Sequence, residues 1–529
     1  MLTLPLDPTD DRADPIFKDA AGCGQWLAQL QLTNLQLAQG RLLAQINELN
    51  RYPMRALERL NTLELLRETV EHLQGELAKK LADKPLPLNE NEFNTFQLIV
   101  QLWTAMATGY QRCLQAQISG EITGYGALLC QRCLNYSGLV ILEYQRTGYE
   151  LSPELWRRLH ELYAHAEEQD LHQTEVADPV NNFSTSCTAC YAKTLLACYA
   201  NPAQMTRWQF LHMDRWLTTW SNATTLDDSY SKSRNDAQPL AIDLSGSRGL
   251  QPTEGLPHHH ALRYLAMVPI SKLLRVKTIL LQQGQTPSQA GLGEHSDTGA
   301  CLELLAFLHQ IWCENRHKRT TARRPSTLTT ELCCKPDTIY AHLTGTPFKD
   351  SGIGELAIKQ IQTLGYAQAG KNLAEMGYPL EKWRIQNESI MGAGLSRIDD
   401  TGASLRCRQL IAHRPENSPY FMLGTIAWAR VSQNGKLQTG VRYLPGRAVA
   451  VRIHVLSINP SVSTIYAPAF VLPELPSIKT PASLIVPRDW FEARRVIEIA
   501  YPNDEVQTVK MGFSVERGLD YERISFTTL

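Results

Sequence analysis

The feature that most constrains this chain is a change of hydrophobic period near residue 316. Upstream, apolar residues recur every three or four positions; downstream, short apolar and polar runs alternate between turn residues. A helix face repeats every 3.6 residues and a strand face every second residue, so the two parts need different architectures. At 529 residues the chain is also too long for one core. The order of the patterns predicts an α+β protein. An all-α bundle or helical array occupies residues 1–315, an antiparallel β-barrel residues 316–450, and a β extension residues 451–529.

Within the first part, leucines spaced by three and four run through TNLQLAQGRLLAQINELNRYPMRALERLNTLELLRETVEHL. Pro85 and Pro87 break that pattern, and a new helix is expected from about Asn91. Ser152 is placed to cap the helix that begins at Pro153. Residues 221–260 are polar and Gly- and Pro-containing, with one short strand expected in PLAIDL; helical pattern then returns through RYLAMVPISKLLRVKTILLQQ and again over 300–312. Short connections between helices imply antiparallel packing.

In the β region, STLTTELCC, TIYAHLTG, EKWRIQNES, YFMLGTIAWARV and LQTGVRYL read as strands, as do ASLIVPRDW, RRVIEIAY and TVKMGFSVER further on. Asn434-Gly435 between two of them is a hairpin signal. A helical insertion is expected at about residues 348–378.

Bulk properties exclude several classes of function. With a net charge of −1, the chain as a whole has no electrostatic grip on nucleic acid or an anionic membrane, so any anion site must be local and no DNA partner is expected. The N-terminal stretch carries acidic residues and no long apolar core, and no run approaches the length of a membrane span; the reading is a cytoplasmic protein. The motifs GxGxxG, GxSxG and HExxH and the P-loop are missing, so no enzymatic activity is expected. Twelve cysteines include two CxxC pairs, Cys130/Cys133 and Cys187/Cys190. Their apolar helical context argues for small hydrophobes rather than a zinc site, and no metal or cofactor is expected.

The local anion site is legible at the start of the β region. Arg316, Lys318, Arg319, Arg323 and Arg324 fall within nine residues just before a strand. An arginine fork can take a phosphate pair or the O6/N7 edge of guanine. Much later, at the end of a strand, comes Asn387-Glu388-Ser389-Ile390-Met391-Gly392; Asn387 and Ser389 share a face, and Gly392 allows a turn or a close approach to the backbone.

An RxxxR segment (Arg319 to Arg323) followed by an [D/N]xSxxG segment (Asn387 to Gly392) resembles the paired signature of PilZ domains, which bind cyclic di-GMP. The likeness extends over residues 316–450 and implies a PilZ-like barrel. It implies that Arg319, Arg323 and Arg324 clamp guanine edges and phosphates, that Asn387 and Ser389 hydrogen-bond a guanine, and that Gly392 leaves room for the base. The 64 positions from Arg323 to Asn387 exceed the family's usual spacing, which the helical insertion accounts for. The expected function is a cyclic di-GMP receptor that passes ligand binding to a protein partner through the helical domain. The alternative is a ligand-independent adaptor on a PilZ-like scaffold.

Overall fold

The computed structural model describes residues 2–230, 237–294, 296–314, 322–348, 373–456 and 466–529. It divides into two compact units, one of Met1–Lys84 and Leu88–Arg319, the other of Pro85–Pro87 and Thr320–Leu529.

The first unit opens with six helices: α1 (Ala20–Gln29), α2 (Leu35–Arg51), α3 (Ala56–Leu81), α4 (Glu90–Ser119), α5 (Gly126–Thr147) and α6 (Pro153–Glu168). Their ends follow local chemistry. Asn89 and Glu92 form a reciprocal capping box at α4, and the Ser152 hydroxyl accepts from the Glu154 amide at α6. The strands β1 (Val176–Asp178) and β2 (Phe183–Thr185) form a hairpin, followed by α7 (Cys187–Tyr199) and α8 (Arg207–Trp220). Then come β3 (Leu226–Asp227), β4 (Leu240–Asp243), β5 (Gln251–Pro252) and β6 (Leu262–Leu265), in the sheet order β3-β6-β4-β5, before α9 (Val268–Gln282) and α10 (Thr298–Trp312). The first part is the expected helical domain, with these short strands added to it. The PLAIDL strand exists as β4, but it has partners of two to four residues, too short for alternation to show in the sequence.

A buried polar network ties this unit together. Arg67 and Arg132 are each 1% exposed. Arg67 Nη2 donates to Asp178 Oδ2 at 2.6 Å, Arg132 Nε to Glu64 Oε1 at 2.9 Å, and Tyr110 Oη to Glu64 Oε1 at 2.7 Å. Burial pushes the Glu64 carboxyl up, but the bonds and charge of Arg132 outweigh it and hold the group below the usual range. Both CxxC pairs are buried, on α5 and α7, and burial pushes the Cys130 thiol up to about 12. Gln131 Nε2 donates to Cys190 Sγ at 3.2 Å. Among the described residues no group of three or more His, Cys, Asp or Glu could hold a metal ion, and no helix is long and apolar enough to cross a membrane.

The second unit contains β7 (Arg324–Pro325), β8 (Thr329–Cys334), α11 (Pro336–Thr344), β9 (Glu381–Ser389), β10 (Gly392–Arg397), β11 (Leu410–Pro415), β12 (Met422–Val431) and β13 (Leu437–Tyr443). The TIYAHLTG segment, expected as a strand, is α11. Its β-branched residues favour strands, but Pro336 opens a helix and Ile339 and His342, one turn apart, are buried against neighbouring elements. The expected insertion falls almost wholly on residues 349–372, outside the described residues.

Antiparallel pairing runs β8-β9-β10-β13-β12-β11 and returns to β8, so six strands close a barrel. Its interior holds Trp383, Ile385, Leu395, Ile411, Ile426 and Val441, each at most 1% exposed. The predicted hairpin joins β12 to β13, with Gly435 at φ +78°.

The remaining strands are β14 (Val449–Val455), β15 (Tyr466–Leu472), β16 (Ser483–Pro487), β17 (Val496–Ala500), β18 (Val506–Arg517) and β19 (Tyr521–Thr528). What reads in sequence as a β extension closes as a second six-stranded barrel, β14-β15-β16-β19-β18-β17. The two barrels share one apolar cluster, in which Leu410, Ala412 and Leu423 of the first meet Ala450, Phe470, Leu472 and Ile485 of the second, with Ile339 of α11 among them. At about 25 cal/mol per Å² of apolar surface, such a cluster resists separation of the barrels.

Candidate functional site

Strand β9 begins with its inward alternation set by Trp383 and Ile385, both fully buried. Strict period two would carry Asn387 inward as well. The pairing of β9 with β10 shifts register there: Ile385 faces Leu395, but the next pair is Asn387 with Gly394. Gln386 is the extra residue of a β-bulge, and it turns Asn387 to the outer face of the barrel. A second bulge does the same on β12, where Ile426 pairs with Val441 and Trp428 with Gly440, skipping Ala427.

The two bulges align a row of outward residues across four strands, Asn387, Gly394, Gly440 and Trp428. Parallel to it runs Ser389, Gly392, Arg442 and Thr425. A Cβ on Gly394 would stand 3.0 Å from Asn387 Oδ1 and 3.4 Å from Arg323 Nη1; a Cβ on Gly440 would meet the Trp428 indole at 2.1 Å. The amide of Asn387 and the ring of Trp428 therefore rest on a floor of bare backbone. Arg430 stacks its guanidinium 5.4 Å from the Trp428 ring centre.

β7 pairs with the far end of β9, Pro325 opposite Asn387 and Arg324 opposite Glu388. That pairing brings the preceding residue to the site: Arg323 Nη1 donates to Asn387 Oδ1 at 2.6 Å. The structure thus joins one arginine of the first motif to the asparagine of the second. Arg324 is exposed on the neighbouring strand. Arg319 lies outside the described residues.

Ser389 and Gly392 also have structural duties. The Ser389 hydroxyl donates to the Gly392 carbonyl and accepts from the Met391 amide, each at 3.3 Å, closing the β9–β10 turn. A Cβ on Gly392 would lie 2.1 Å from the Val441 carbonyl oxygen, so the barrel's own backbone requires glycine there. At the turn, Ile390 is 85% exposed.

On the inner side, Glu388 Oε1 accepts from Tyr443 Oη at 2.7 Å, and the Tyr443 ring stacks 5.1 Å from that of His413. His413 is fully buried and desolvation lowers its pKa to about 4, so it is neutral. Burial, reinforced by Glu388, pushes the Tyr443 hydroxyl far up. These groups support β9 from behind.

Sequence reading missed Gly394, Gly440, Trp428 and Arg442. Gly394, Gly440 and Arg442 share the outer face through the regular pairing of β10 with β13, and Trp428 joins them because a bulge re-aims β12, which leaves no composition signal. The chemistry of the face is a planar aromatic ring, a primary amide and guanidinium groups over a glycine floor. It suits a flat heterocycle with acceptor edges and an anionic group.

Comparison with known proteins supports a family assignment. A family model described as "Cyclic-di-GMP receptor FimW, N-terminal domain" matches residues 21–231, within the first unit. A second, the FimW C-terminal beta-barrel domain, matches residues 454–529, which hold the last five strands of the second barrel and the end of β14. Cyclic-di-GMP receptor FimW of Pseudomonas aeruginosa is 22% identical over 556 aligned positions, covering 95% of this chain and 90% of the relative. The two domain models match in order, at both ends of an alignment that spans the chain, so the likeness to the cyclic-di-GMP receptor FimW runs through its whole organisation.

Proposed function

We propose that this protein is a cyclic di-GMP receptor whose ligand docks on the outer face of the first, PilZ-like barrel. The observation that carries the reading is the meeting of Arg323 and Asn387 above Gly394, beside Trp428. A guanine laid on that floor can stack on the indole, take the amide of Asn387 at its edge and receive a guanidinium at O6/N7 or at phosphate. The relative's printed description supports the same ligand. Arg319 and Arg324 supply further cation to the phosphates, and Ser389 and Gly392 shape the turn beside them.

The protein acts by binding rather than catalysis and works in the cytoplasm. Ligand binding replaces the Arg323–Asn387 bond with contacts to the dinucleotide, and the change reaches a protein partner through the helical domain.

The test is calorimetric titration of the full-length protein with cyclic di-GMP, with GTP as control. Binding at micromolar or better, about −8 kcal/mol, is the expected result. No binding at high ligand concentration by folded protein overturns the receptor reading and leaves the adaptor.

A further inference from the structure

Arg442 has a position that the motifs do not account for. It stands on the outer face in the row Ser389, Gly392, Arg442, Thr425, two residues along β13 from Gly440, and its side chain is 47% exposed. Its guanidinium nevertheless points away from the first barrel, to an ion pair with Glu516 on β18 of the second. Glu516 also accepts from Tyr521 Oη at 2.7 Å. Burial pushes the Glu516 carboxyl up, and its bonds from Arg442 and Tyr521 outweigh that and keep it ionised.

We infer that Arg442 is a further ligand-contacting arginine, and that Glu516 of the second barrel competes with the ligand's phosphate for it. The inference rests on the proposed function, because it needs an anionic ligand on this face. An arginine fork binds carboxylate and phosphate with the same geometry, so a phosphate arriving over Gly392 offers Arg442 an equivalent partner. No backbone shift is needed for the exchange, since a half-exposed arginine swings on its own side-chain torsions.

Glu516 does not lose everything when Arg442 leaves. It keeps the Tyr521 hydroxyl, and the charge of Arg523 also favours its ionised form. It does lose its directly bonded cation while partly buried, which opposes ligand binding and strains the end of β18. That segment is irregular already: its pairing with β19 shifts register between Met511 and Ser514 and again between Ser514 and Glu516. Phe513 and Val515, 67% and 45% exposed, stand on the same stretch. The Arg442–Glu516 pair therefore links occupancy of the first barrel to the conformation of the second.

The experiment titrates cyclic di-GMP into full-length wild type, Glu516→Gln, Arg442→Ala, the double variant and Arg323→Ala, with amide hydrogen exchange on the wild type alongside. Freeing Arg442 in Glu516→Gln is expected to tighten binding about fivefold, the scale of a partly exposed ion pair. Arg442→Ala is expected to weaken binding about tenfold, and the double variant to match it, because Glu516 then has nothing to withhold. Exchange over residues 511–517 is expected to rise on ligand addition. If wild type binds and Arg323→Ala abolishes binding, while Arg442→Ala, Glu516→Gln and exchange at 511–517 show no effect, this inference falls and the receptor reading stands. If folded wild type does not bind, the receptor reading falls and takes this inference with it.

Discussion

Arg323 Nη1 and Asn387 Oδ1 lie 2.6 Å apart although 64 positions separate them in the chain. The contact forms because β7, immediately after Arg323, pairs with β9 at Pro325–Asn387. β9 also pairs with β8 in the same barrel, with Thr329 opposite Arg384. Loop length costs little free energy, so an insertion between neighbouring strands is tolerated.

Arg323→Ala and Asn387→Ala should each lower cyclic di-GMP affinity by tenfold or more, about 1.5–3 kcal/mol for a charge-assisted bond. Both side chains are on the outer face, so the thermal midpoint should stay within a few degrees of wild type. Calorimetric titration and a melting curve check both halves; loss of folding in place of loss of binding would make the pair structural.

Trp428 is predicted to carry stacking rather than stability. Replacement by alanine should weaken binding by about tenfold, within the 1–3 kcal/mol of a base–aromatic stack. Phenylalanine should restore most of it, since a ring remains over Gly440. Equal affinities for Trp428→Ala and wild type would place the ligand elsewhere.

Gly392 and Gly394 should separate under the same substitution. Gly392→Ala forces a Cβ to 2.1 Å from the Val441 carbonyl oxygen, in the barrel wall. It should cost stability, about 1–3 kcal/mol or more. For Gly394→Ala the nearest atoms are the side-chain ends of Asn387 and Arg323, at 3.0 Å or beyond, so its effect should fall on ligand affinity. Denaturant unfolding and titration of the two variants read these directly.

His413 in the first barrel and His160 in the first unit are both buried, with desolvation lowering each to about 4. In an unfolded chain histidine titrates near 6.5, so between pH 6.5 and 4 the unfolded state binds more protons. Stability is then fully present above pH 6.5 and is lost as pH falls toward 4, by up to about 1.4 kcal/mol per pH unit for each histidine. Scanning calorimetry from pH 7.5 to 5 should show falling midpoints, and His413→Asn should flatten the slope. A midpoint insensitive to pH in this window would count against both burials.

Sequence by itself determined the division into helical and β parts and the helix ends at Asn89 and Ser152. It also placed the hairpin at Asn434-Gly435, and it named Arg323 and Asn387, which the fold brings into hydrogen-bond contact. These follow from local rules: side-chain period, capping oxygens and residues suited to a turn. Tertiary structure decided what depends on pairing at a distance. The strand-like TIYAHLTG is a helix because Ile339 and His342 are buried from one face of it. The last strands close into a barrel because β17 pairs back to β14. Asn387 and Trp428 share one surface because two bulges, at Gln386 and Ala427, reverse the alternation that the sequence alone would continue. Register is a property of two strands together, so one strand's residues do not contain it, and which side chains share the outer face is a matter of register.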